Sequence, residues 1–98
     1  MNINYTRIVT VGDIKFTIRY SNKALLSYLN RLSTDTDGID SLYDYFYDLA
    51  LNGARSMNVE LAYTRDEFFD LIDSVPDSIT NFQEAVSSFK EKDSKKKG

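Results

Sequence analysis

The stretch YTRIVTVGDIKFTIRY, residues 5–20, decides the fold. Apolar and polar side chains alternate on both sides of Gly12-Asp13, and a period of two reads as strand. Glycine at the first central position of a two-residue loop fits a type II′ turn, whose twist matches that of the flanking strands. That turn sets the register, with Val11 opposite Ile14, Val9 opposite Phe16, Arg7 opposite Ile18 and Tyr5 opposite Tyr20. Directly opposed side chains share a face. Of these eight, only Arg7 is neither apolar nor aromatic, whereas the other face carries Thr6, Ile8, Thr10, Lys15, Thr17 and Arg19. Two strands alone are marginal in water, so the apolar face requires helices to cover it. Arg7 either pairs with a helix acid or marks the edge of the sheet, and both readings stay open.

The rest of the chain supplies those helices. Asn22 is placed to cap the first, in which Leu25, Tyr28, Leu29 and Leu32 recur at helical spacing. A polar loop, residues 33–38, precedes a longer helix from about Ile39 to Met57. Its inner stripe is Ile39, Leu42, Tyr43, Phe46, Leu49, Ala50 and Gly53. Thr64 and Glu67 have the spacing of a capping box. The third helix carries Phe68, Leu71 and Ile72 and ends at Val75-Pro76, since a residue before proline is pushed out of helical angles. Asp77 is placed to cap a fourth helix bearing Ile79, Phe82, Ala85, Val86 and Phe89. The expected fold class is α+β, predominantly helical: an N-terminal β-hairpin followed by about four amphipathic helices. One domain spans residues 1–89, and residues 90–98 form a charged tail expected to be disordered.

Composition narrows the chemistry. The 98 residues include no cysteine and no histidine, which removes thiolate nucleophiles, disulfides, Cys-ligated zinc and imidazole bases. No apolar run approaches the roughly 20 residues of a membrane span, and MNINYTRIV lacks the layout of a signal peptide. The expectation is a soluble intracellular protein and not an enzyme. The net charge of −3 is unevenly spread. Residues 1–30 carry four bases against one acid, residues 31–89 three against twelve, and residues 90–98 five against two. The acidic middle would repel phosphates, which argues against sequence-specific binding of nucleic acid.

Three features merit weighing as sites. Asp35-Thr36-Asp37-Gly38 resembles part of a calcium loop, but Ser33 stands where the first ligand belongs and Asp44 where a bidentate glutamate belongs, so a helix-capping loop is the favoured reading. Asp40, Asp44 and Asp48 recur every four residues and form a ridge. A solvated face is its simplest reading. The alternative is a docking surface, with Leu51 among the aspartates and Tyr47 at their border, an apolar patch rimmed by charge. Phe69 lies beside the core stripe of the third helix, where widened core is favoured over a contact site. Thirteen tyrosine and phenylalanine residues are a generous supply for so small a core and favour self-association or a partner. No cofactor or metal is expected.

The order of elements resembles the small tail assembly chaperones of bacteriophages with long flexible tails. The resemblance runs from about Ile14 to Phe89. It rests on IKFTIRYSNKALLSYLNRL with Ala24, Leu25, Leu29 and Leu32, on SLYDYFYDLALNGARSMN, on the capped acidic helix TRDEFFDLIDSV, and on DSITNFQEAVSSF. These are patterns of residue class and order. The first strand of the hairpin has no clear counterpart. The resemblance implies a protein without catalytic activity that binds the helical, aggregation-prone tape-measure protein during tail assembly. It further implies a homo-oligomer that acts in the bacterial host cytoplasm and is absent from the mature virion. Many such proteins have a longer frameshifted form, and Lys95-Lys96-Lys97 suits an A-rich slippery run as well as it suits a solubilising tail. The competing expectation is a small acidic regulator that mimics nucleic acid and binds a protein partner.

Overall fold

A computed structural model describes residues 5–34 and 38–97, with side chains described as far as Phe89. The hairpin forms as its sequence requires. Strands β1 (Thr6–Val11) and β2 (Ile14–Arg19) pair antiparallel, with Val11 opposite Ile14, Val9 opposite Phe16 and Arg7 opposite Ile18. The Tyr20 amide donates to the Tyr5 carbonyl at 2.9 Å and extends the ladder by one pair. Gly12 is left-handed at φ 62° and Asp13 is not, the pattern of a II′ turn. Val9, Val11, Phe16 and Ile18 are buried, so the alternating face is the core face.

Four helices follow: α1 (Asn22–Leu32), α2 (Ile39–Ser56), α3 (Arg65–Ser74) and α4 (Ser78–Lys97). The chain is α+β and predominantly helical. Against the hairpin, α2 covers β2 and α4 covers β1, while α1 and α3 pack on α2. Burial around most of its circumference (Tyr43, Asp44, Tyr45, Phe46, Leu49, Ala50, Gly53 and Ala54) makes α2 the central helix. Gly53 permits that position. A Cβ there would stand 1.9 Å from the Thr17 carbonyl oxygen, so only glycine lets α2 lie on β2. The core is aromatic where the layers meet. Phe46 stacks on Phe82 at 4.7 Å, and Phe68 meets Phe16 and Phe82 edge-on at 5.3 and 5.8 Å.

The caps correct some expectations. Ser21, not Asn22, caps α1, its hydroxyl accepting from the Ala24 amide, and Asn22 is the first helical residue. Thr64 and Glu67 form the expected capping box of α3, and Val75 ends that helix in extended conformation before Pro76. Asp77 precedes α4 but is left-handed (φ 70°), and its side chain makes no capping hydrogen bond among the described residues. At the end of α2, Asn58 is left-handed, and the amides of Asn58 and Val59 donate back to Arg55 and Ala54 in a Schellman closure. Helix α4 continues to Lys97, through the stretch expected as a disordered tail. No glycine or proline interrupts residues 78–97, and Lys, Glu and Gln all propagate helices well. Ile39, expected in the inner stripe, is exposed at the first residue of α2.

Candidate partner-binding surface

The aspartate ridge is a seam between helices, not an open docking face. Asp44 is only 7% exposed. Its two oxygens accept from Arg65 Nε and Nη2 at 2.5 and 2.7 Å, and Arg31 adds a third contact from α1. The sequence reading placed Asp44 on a solvated or partner-facing ridge. It is instead the point where the end of α1 and the start of α3 are tied to α2. The Arg65 pKa is raised, chiefly by its hydrogen bond to Asp44. Asp48, one turn on, is half-buried, and loss of water pushes its carboxyl up, with Asp44 adding repulsion and Arg31 and Arg65 opposing. Tyr47 lies edge-on to Phe68 at 5.4 Å, so α3 covers it. Leu51 is half-buried beside Ala24 and Ser27 of α1. Phe69 meets Tyr43 edge-on at 5.4 Å and carries the Arg65 guanidinium 4.8 Å above its ring, which fits widened core. Asp40 alone of the six stands exposed. Residues 35–37 of the calcium-like loop lie outside the described residues, and among the described residues no acidic cluster is placed to hold a metal ion.

The open apolar surface lies elsewhere, on α1. At about 100° per residue, Ala24 and Tyr28 point toward α2, while Leu32, Leu25, Leu29 and Leu26 continue the apolar arc away from it. Leu29 is 50% exposed and Leu26 61%, and Leu32 and Ile39 also face solvent. Of the stripe Leu25, Tyr28, Leu29 and Leu32, then, the outer half is uncovered. Beside it runs a groove of about 620 Å³ between α1 and α4. Leu25 and Tyr28 form one wall, Val86 and Phe89 the other, and Leu42, Tyr45 and Phe46 of α2 the floor. Tyr5 and Tyr20 of the hairpin close one end.

Ring contacts hold the walls in shape. Tyr28 stacks on Tyr45 at 4.9 Å and Tyr20 packs against Phe89 at 5.4 Å. Burial, with Tyr20 and Tyr28 nearby, pushes the Tyr45 phenol up to about 12. Arg7 reaches across to α4, its guanidinium 4.6 Å above the Phe89 ring and its Nε donating to Ser88 at 2.7 Å. Among the described residues the groove is lined by no charged side chain; its polar groups are Asn22, Gln83, Ser87 and the phenols. A surface of this kind suits an apolar helix face, because tyrosine offers large rigid contact with a wet end. Periodicity identifies Leu25, Tyr28, Leu29 and Leu32 as one stripe of α1 but does not say which of them a neighbour covers. The stripe's width, greater than one neighbouring helix covers, was the available signal.

Searches of protein-family models, curated proteins and solved structures found no match to this chain.

Proposed function

We propose that this protein is a non-catalytic helix-binding chaperone, of the kind that keeps a phage tape-measure protein soluble while a tail is assembled. The observation that carries this reading is the aromatic groove, without a charged lining residue among those described, together with the exposed leucines of α1 beside it. A long helical client presents repeated apolar stripes. One stripe laid between α1 and α4 would cover Leu25, Leu29, Tyr28 and Tyr45 together, burying apolar surface on both partners at about 25 cal/mol per Å². Many weak sites along one client then add through effective concentration, without a deep pocket. The net charge of −3 opposes precipitation of the complex. In the absence of client, two copies could cover each other's leucines, which supports a homo-oligomer. On this reading the protein works in the bacterial host cytoplasm and leaves before the virion is complete. The nucleic-acid mimic is the weaker alternative, because Arg31 and Arg65 neutralise the centre of the aspartate ridge.

Co-expression with a tape-measure fragment tests the proposal. The fragment is expected in the soluble fraction, bound to the native chain and released by Leu29→Lys. A fragment that stays insoluble and unbound contradicts it.

A further inference from the structure

Two arginines remain unused by the fold. Arg7 is committed to Ser88 and Phe89, and Arg31 and Arg65 to Asp44. Arg19, at the end of β2, and Arg55, in the last turn of α2, are exposed and make no ion pair among the described residues. They converge on one cleft, lined by Arg19, Tyr20, Ser21, Asn52, Arg55 and Ser56. Every residue there is cationic or carries a hydroxyl or amide, so the cleft is rich in donors and, among the described residues, holds no acid. Lys23 lies beside it, in a shallow crevice it shares with Ser21, Asn52 and Arg55. Asp48 also lines that crevice, leaving a net positive charge across the two hollows. Tyr20 lines both this cleft and the apolar groove, so the two meet at the junction of β2 and α1.

We propose that the Arg19–Arg55 cleft takes the carboxylates of an acidic turn adjoining the apolar stripe of the client helix. This rests on the helix-binding reading and specifies the client. The preferred segment is an amphipathic helix with an Asp- or Glu-rich end. Charge complementarity carries the assignment, since two guanidiniums that enter no ion pair among the described residues match carboxylates in both charge and geometry. The shared Tyr20 places those charges at the end of the apolar track. The cleft fixes direction, because only one orientation of the helix brings its acidic end to Arg19 and Arg55. An uncharged groove could not impose that choice.

The test uses two synthetic amphipathic peptides with the same leucine stripe, one ending in an acidic turn and the other in the corresponding amides. Fluorescence anisotropy with the full chain at low salt is expected to give about tenfold tighter binding of the acidic peptide, the preference shrinking as salt rises. In Arg19→Gln/Arg55→Gln the preference disappears while the amide peptide binds as before. Far-UV circular dichroism of that variant confirms an intact fold. Equal binding of both peptides to the native chain, or a preference that survives the double substitution, overturns this proposal alone. Binding of neither peptide overturns the helix-binding reading and this proposal with it. If light scattering instead finds a low-salt self-association that the double substitution abolishes, with no peptide preference, the acidic partner is a second copy and the proposal fails.

Discussion

Asp44 takes its importance from its surroundings. Its carboxylate is buried, whereas the two arginines that serve it keep about half of their side chains in water. The two sides of the contact therefore differ in cost. Asp44→Ala leaves arginines that can hydrate, and should lose about 1–2 kcal/mol in urea denaturation. Arg31→Ala/Arg65→Ala leaves a buried carboxylate without counter-charge, and should lose more, about 3 kcal/mol or above. Asp48 acts in the opposite sense. Burial raises its folded-state pKa above the unfolded value of about 3.9. The native state then holds the proton more tightly, so stability falls as pH rises from the unfolded value through the folded one. Asp48→Asn is expected to stabilise the fold at pH 7, with the gain shrinking as pH falls through the raised folded-state value and gone below the ordinary aspartate range; denaturant midpoints across pH follow it. Neither role was legible in the sequence. Spacing of four places Asp40, Asp44 and Asp48 on one side of α2, but Arg65 stands 21 residues from Asp44, and only the packing of α3 brings it there.

At the scale of elements, the hairpin was the most legible part. Gly12-Asp13 sets the turn, the turn sets the register, and the register sorts every side chain of both strands to a face. The capping box of α3 and the Val75-Pro76 stop were equally readable, because a cap is a local interaction. The contact between α2 and β2 was not, since periodicity marks Gly53 as inward but not as the point of closest approach. Gly53→Ala puts a methyl against the Thr17 backbone, and α2 must lift off the sheet to make room. A loss of about 2–4 kcal/mol in denaturation is expected. The helical spacing of Leu25, Tyr28, Leu29 and Leu32 was legible, but how much of that stripe is covered was not, because sequence gives the width of a stripe and tertiary packing decides how much is buried. Leu29→Lys, on the uncovered side, should change stability by no more than about 0.5 kcal/mol. Leu49→Ala, fully buried on α2, should cost about 2–5 kcal/mol. A Leu29→Lys change as costly as Leu49→Ala would mean that α1 is covered within its own subunit.

Over the whole molecule, the layers divide the work. The hairpin and the aromatic cluster around Phe46, Phe68 and Phe82 hold the fold. The seam at Asp44 ties both flanking helices to α2, and the space between α1 and α4 stays open. Among the described residues no helix is long and apolar enough to cross a membrane, so the exposed leucines are not part of a transmembrane helix. The account depends on an apolar helix occupying that space. Titration of the isotopically labelled chain with a leucine-striped helical peptide, followed by amide and methyl chemical shifts, tests this most directly. Perturbations should cluster at Leu25, Tyr28, Leu29, Leu42, Tyr45 and Val86 and leave Asp40, Tyr47 and Leu51 unmoved. A spectrum unchanged by the peptide, or changes centred on Tyr47 and Leu51, would contradict the account.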